Sequence, residues 1–185
     1  MGMELLASPY LTTQYGGFYT EAQAARARVD NLRSIITFWP YMAMIDALQH
    51  WVYENPDASA DIAQTDAYWA TLSDRFWPHL DWSGLEEEKR AFWHRQGHVW
   101  TDPFYYIEYG MAQLGAVQVW ANSLRDPAAA VEAYRTALTL GGGAPLPDLF
   151  ATAGAKFAFD ADTLRSAVTL LEDTIAQLEP IAAQG

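Results

Sequence analysis

The chain has 185 residues, of which 51% are hydrophobic, no cysteine, and a formal net charge of −12. That length supports one domain with a substantial core, and that apolar content excludes a disordered chain. The negative charge argues against a nucleic-acid backbone as partner, and the absence of cysteine excludes disulfides and thiolate metal sites and fits a reducing, cytoplasmic compartment.

Residues Met1 to Ala7 read as a piece of helix with no N-cap before it, a helix cut rather than started. No basic segment followed by an apolar stretch marks a signal peptide. Ser8-Pro9 is expected to stop this helix, and a loop through Gly16-Gly17 follows. Thr20 and Gln23 then form a capping box that opens a long helical segment with Val29, Leu32, Ile36 and Trp39 as apolar positions. Pro40 is expected to kink or split it, because proline lacks the amide hydrogen and clashes with the preceding turn. The continuation from Tyr41 to Tyr53 ends at Asn55-Pro56. The most apolar stretch, Ile35 to Leu48, is interrupted by Pro40 and Asp46 and is too short to span a bilayer.

Ser59 to Trp77 is the next amphipathic segment, with Ile62, Tyr68, Trp69, Leu72 and Phe76 on its apolar face and Pro78 closing it. Ser83 and Glu86 read as a second capping box, opening a short helix to about Trp93. Glu86, Glu87 and Glu88 there offset the helix dipole.

The stretch from Arg95 to Trp120 is the organising one. A short loop carries His98, and Asp102-Pro103 reads as N-cap and first position of a central helix that runs to Asp126-Pro127. On such a helix Tyr105 and Tyr109 share a face with Ala112, Ala116 and Trp120, with Tyr106 at its edge. Phe104, Ile107, Met111 and Leu114 lie on the other side. A helix apolar on both sides is surrounded by protein, so its tyrosines are expected to face a cavity or cleft.

Asp126-Pro127 starts a helix carrying Val131, Tyr134 and Leu138 that stops at Gly141. The loop from Gly141 to Pro145 lacks the lysine and the preceding strand of a phosphate-binding loop. A short helix from Pro147 to Ala153 ends at Gly154. Asp160 caps the last helix, with Leu164, Val168, Leu171, Ile175 and Leu178 in register. No alternating run long enough for a strand occurs, and no internal repeat. The fold class is therefore all-α, a bundle-like array of roughly seven helices in a single domain, 1–185.

His94 and His98 have the spacing of a helical metal pair. The zinc-peptidase version needs a glutamate directly after the first histidine, and Arg95 stands there, with Gly97 ending the helix, so no metal is assigned to them. A histidine held near the tyrosines is the better reading of His98, since phenol O–H and imidazole N–H groups both stabilise a developing oxyanion. Glu108 is expected to pair with Arg95 or Arg125, and Asp46 with His50. These residues alone leave function open.

RQGHVWTDPFYYIEYGMAQLGAVQVW resembles the tyrosine-and-histidine segment near the C-terminus of oligoendopeptidase F, a zinc metallopeptidase of the thimet-oligopeptidase-like group. MGMELLASPYL, FWPYMAMIDALQHWVYENP and LTLGGGAPLPDLFATAG look alike in the same order, so the resemblance covers nearly the whole chain. It implies a helical peptidase cleaving short peptides in a deep channel, with zinc held by HExxH and a downstream glutamate. Bound water attacks the peptide carbonyl, the HExxH glutamate is general base, and a histidine and tyrosines steady the oxyanion. On matching positions these look like His98, Tyr105 and Tyr109, with Tyr106 lining the substrate channel. No HExxH occurs in this chain. It looks like the C-terminal, substrate-side portion of such an enzyme, inactive and without a cofactor alone, zinc belonging to the intact enzyme. The alternative is a non-catalytic helical peptide-binding or complementation module. Expected partners are an oligopeptide substrate and either a second copy, as a homodimer, or the missing N-terminal half. Neither nucleic acid nor membrane is expected.

Overall fold

Three helix starts form as the sequence writes them. Thr20 and Gln23 close a reciprocal capping box, with Thr20 N–H to Gln23 Oε1 at 3.0 Å and Gln23 N–H to Thr20 Oγ1 at 3.3 Å. Asp126 accepts from the Ala129 amide, and Asp160 from those of Asp162 and Thr163. In the computed structural model, which describes residues 1–184, these caps belong to a chain that is all-α. Its helices are α1 (Gly2–Ala7), α2 (Glu21–Glu54), α3 (Pro56–Ser59), α4 (Ile62–Phe76), α5 (Glu86–Ala91), α6 (His98–Thr101), α7 (Ile107–Ser123), α8 (Pro127–Leu140), α9 (Leu146–Thr152) and α10 (Ala161–Ala182). The excess over seven comes from short segments such as α3 and α6. Among the described residues the one β-type pairing is an isolated bridge between Thr12 and Tyr19. Among the described residues no helix is long and apolar enough to cross a membrane.

Several boundaries differ from expectation. Helix α2 runs unbroken for 34 residues with Pro40 inside it. Proline in a helix interior costs about 3 kcal/mol. Past it, Met42, Met44, Ile45 and Leu48 are all essentially fully buried, and each such side chain returns roughly 1.5–3 kcal/mol. Burial wins. Helix α4 is capped by Asp61, whose carboxylate accepts from the Ala63 amide, and not by Ser59. The second capping box does not form. Ser83 bonds to Asp81 through its amide and hydroxyl, and Glu86 reaches back to the Gly84 amide.

The chain forms two compact units, one of Met1–Ile36 with Met111–Gly185 and one of Thr37–Gly110. In the second unit the core is Met44, Ile45 and Leu48 of α2, Trp69 and Leu72 of α4, and Trp93, flanked by Tyr41, Tyr68, Phe92 and Tyr106. In the first, Val119 of α7, Ala137 of α8, Ala153 and Ala155 form a cluster joined by Leu6, Tyr134 and Phe150.

Asp126→Ala removes the acceptor of the Ala129 amide at 3.0 Å and is expected to cost about 1 kcal/mol. In a chain of this size that lowers Tm by roughly 2–4 °C, measurable by thermal circular dichroism.

The carboxyls of Asp61, Asp81, Glu86 and Asp160 are held below their usual range, chiefly by hydrogen bonds from Gln64, Ser83, the Gly84 amide and the Thr163 amide respectively. Their folded values lie below the unfolded ones. The stability they contribute is thus complete above about pH 4 and is lost as pH falls through the folded values. Tm should fall on acidification through that window, and less steeply in Asp160→Asn. An equal acid slope in that variant would show that the cap does not titrate as described.

Candidate functional site

The site lies in the unit of Thr37–Gly110, where the turn after α5 brings His98 against three tyrosines. Its geometry differs from the helix-based expectation. Asp102 does not cap the central helix. It closes α6, with its carboxylate accepting from Thr101 Oγ1 at 2.6 Å, and α7 begins only at Ile107. Pro103 steers Asp102 out of helical backbone, and Phe104 then takes φ +62°, the only non-glycine residue described with a positive value. A bulky side chain rarely adopts that conformation. The Phe104 amide donates to Gln49 Oε1 at 3.1 Å, and Gln49 is a buried side chain of α2. The Phe104 ring lies 5.0 Å from His50 and 5.0 Å from Tyr53. The strained turn is thus clamped to α2.

Tyr105 and Tyr106 consequently precede the helix, and Tyr109 stands in its first turn. They still converge. The His98 ring centroid is 6.2 Å from Tyr105, 4.8 Å from Tyr106 and 5.9 Å from Tyr109. Tyr109 meets Tyr105 edge-on at 5.4 Å and Tyr106 at 5.7 Å. Gly110 lies in the first turn of α7 and packs on α2. Its carbonyl accepts from Trp39 Nε1 at 3.0 Å, and a Cβ there would stand 3.4 Å from Met42.

Two of the phenols, Tyr105 and Tyr106, are pushed toward the protonated form. Tyr105 is raised first by the side-chain hydrogen bond it shares with Tyr109 and then by that neighbour's charge. Tyr106 is raised by burial and by Tyr109, against a lowering from Arg95.

His94 and His98 do not converge on a common point. His94 Nε2 is 3.2 Å from Asp66 Oδ1, the same oxygen that accepts from Trp93 Nε1 at 2.8 Å. His98 Nδ1 instead lies 2.7 Å from Gln96 Nε2, and the Gln96 carbonyl accepts from the Tyr41 hydroxyl at 3.0 Å. Among the described residues no group of three or more histidine, aspartate or glutamate side chains is placed to hold a metal ion.

Asp46 and His50 lie 3.6 Å apart, and burial raises the Asp46 carboxyl while His50 opposes it. Glu108 forms no ion pair among the described residues. Arg95 sits 4.7 Å over the Phe92 ring, and Arg125 bonds to Asn122. Sequence reasoning missed Gln96, Tyr41, Gln49 and the strained Phe104. The one available signal was Gln96, a polar side chain two positions before His98.

A separate apolar cavity of about 520 Å³ lies in the other unit. Gly115, Ala116 and Val119 of α7, Tyr134 of α8 and Phe150 of α9 are among its walls.

The fold is an all-helical scaffold that brings one histidine against three tyrosines. The profile of Peptidase family M3 matches residues 3–169, and the chain belongs to that family. Among solved structures, PZ peptidase A with inhibitor 2 is similar, with a TM-score of 0.83 and 29% identity over 95% of this chain. The match covers 30% of the PZ peptidase chain. No curated protein matches.

With His94 committed to Asp66 and His98 to Gln96, the purified chain is expected to retain well under one zinc per molecule after dialysis, since two histidines leave the ion under-coordinated. Elemental analysis giving a stoichiometric, chelator-sensitive metal would contradict the site as described.

Proposed function

We propose that this chain is the substrate-side, C-terminal portion of an oligoendopeptidase F-like zinc metallopeptidase that hydrolyses short peptides in the cytoplasm. The observation that carries the reading is the convergence of His98 with Tyr105, Tyr106 and Tyr109. Family membership and the likeness to a PZ peptidase support it. The chain has no HExxH, so the zinc and its general base belong to the rest of the enzyme.

The chemistry of these residues is donation. When water adds to a peptide carbonyl, the oxygen becomes an oxyanion, and neutral O–H and N–H groups already aimed at it stabilise the charge without reorganising. Tyr109 and Tyr105, edge to face at 5.4 Å, both offer phenol O–H groups to that oxygen. His98 supplies an N–H, and Tyr106, half-buried against Tyr41, lines the substrate.

The same reading assigns the partners. The substrate is an oligopeptide, and the chain associates with the remainder of the enzyme or with a second copy of itself. The apolar cavity walled by α7, α8 and α9 and exposed side chains such as Phe18 and Leu138 support an association surface.

In the intact enzyme, Tyr109→Phe and His98→Ala are expected to lower kcat by about 10²–10³-fold while KM moves little, the signature of a donor used only in the transition state. Steady-state kinetics with a fluorogenic peptide measures both. Values within about threefold of wild type would reduce the cluster to packing. The chain by itself should not cleave the peptide. Tight peptide binding by the chain alone, with both variants of the intact enzyme fully active, would favour a non-catalytic peptide-binding module instead.

A further inference from the structure

We infer that Gln96, oriented by Tyr41, is a positioning residue that sets the tautomer of His98, placing the ring proton on Nε2. The inference rests on the reading of His98 as an oxyanion donor, and it starts from hydrogen-bond accounting. The Tyr41 hydroxyl is 3.0 Å from Gln96 Oε1. A carbonyl oxygen only accepts, so the phenol donates. The amide is thereby turned with its NH₂ toward His98, at 2.7 Å from Nδ1. An NH₂ only donates, so Nδ1 must offer a lone pair. In a neutral imidazole the proton then sits on Nε2, and Nε2–H is the donor the ring has left to give.

The opposite arrangement, with the amide flipped and Nδ1 protonated, breaks the chain at its far end. The Tyr41 O–H would face an NH₂ and lose its acceptor, in a half-buried position walled by aromatic rings. Tyr41 stacks on Trp77 at 5.5 Å and meets Phe92 at 6.3 Å and Tyr106 at 5.8 Å. Its hydroxyl is pushed up to about 12, by burial first and by Tyr106 next, against a lowering from Arg95. Tyr41 thus keeps its O–H, and the Gln96 amide oxygen at 3.0 Å is the acceptor the structure gives it.

Gln96 is itself fixed. Its main-chain N–H donates to the Trp93 carbonyl at 3.0 Å, which holds its backbone, and Trp93 is anchored in the core through Asp66. The order Trp93, Gln96, His98 thus carries core rigidity into the orientation of one ring proton. Such a support is what a hydrogen-bond donor needs if it is to act without reorganisation.

The test reads the proton directly. In the ¹⁵N-labelled chain at about pH 8.5, two units above the ordinary imidazole value, long-range ¹H–¹⁵N correlation distinguishes a protonated ring nitrogen from one carrying a lone pair. Wild type is expected to show His98 with Nε2 protonated. Gln96→Glu replaces the NH₂ with a carboxylate oxygen, which can only accept, and should move the proton to Nδ1. Tyr41→Phe leaves Gln96 in place but frees its amide to flip, and should populate both tautomers. It provides an independent reading should the Gln96 variant fold poorly. A wild-type ring protonated at Nδ1, or a tautomer unmoved in a folded Gln96→Glu or Tyr41→Phe variant, overturns the inference.

Kinetics of the intact enzyme separates this from the broader reading. Gln96→Glu should lower kcat at least tenfold with KM within about twofold, and Gln96→Met should do the same without adding a charge. A tautomer that moves while kcat stays constant supports the role of Gln96 and overturns His98 as an oxyanion donor.

Discussion

The continuity of α2 through Pro40 is the constraint on which the site depends. From Trp39 to Tyr53 this one helix supplies the bond to the Gly110 carbonyl, the hydroxyl that orients Gln96, the acceptor for the Phe104 amide and the two rings against Phe104. Tyr41 and Gln49 are eight residues apart, about 12 Å along a helix of 1.5 Å rise. A break at Pro40 that tilted the two ends would alter where Trp39 stands relative to both. The buried row Met42, Met44, Ile45 and Leu48 holds the helix in place. Core burial here does more than stabilise: it keeps separate hydrogen bonds in register with one another.

Strain sits where that register is tightest. Phe104 at φ +62° is held in a conformation worth of order 1–3 kcal/mol of destabilisation. It persists because its amide and its ring are both claimed by α2. The consequence is that the chain reverses before α7 and delivers Tyr105 and Tyr106 from a turn while Tyr109 arrives from the helix. Three phenols from one short segment would otherwise fan out along a helix, and Tyr106 would leave the face shared by the other two.

Much of this was legible in the residues. The all-α class, the caps at Thr20, Asp126 and Asp160, and the stop at Gly141 follow from local chemistry, and local chemistry is what a sequence displays. The false reading at Asp102-Pro103 has the same origin. An aspartate before proline is a good cap, but the deciding acceptor for Phe104 is 55 positions away on Gln49. The Ser83 box failed because a nearer carboxylate, Asp81, took both its donors. His98 stands against the tyrosines, but a turn and not helical spacing creates most of that proximity. Gln96 was passed over because glutamine has no charge and no titration to draw notice. Its importance comes from having a donor and an acceptor on one rigid plane.

Under the proposed function, uncharged donors suit a chain of net charge −12. A cationic donor placed beside partly buried rings would carry a desolvation cost and would attract carboxylates of its own chain. Phenols whose ionisation is pushed upward stay protonated and uncharged at neutral pH, and a neutral imidazole with one defined N–H does the same. Such donors bind a neutral peptide carbonyl only modestly, because hydrogen bonds between neutral groups are about half as strong as charge-assisted ones. They gain strength when the carbonyl oxygen turns negative, and that difference between ground and transition state is what lowers a barrier. Under the proposed function, such an arrangement would favour the developing charge over the resting substrate, provided that each proton already points the right way. Phenol O–H bonds can rotate to meet the oxygen, but an imidazole cannot change its donor nitrogen without exchanging a proton. Of the donors in the cluster, His98 is the one whose direction has to be set in advance, and it is the one with an amide held against its other nitrogen.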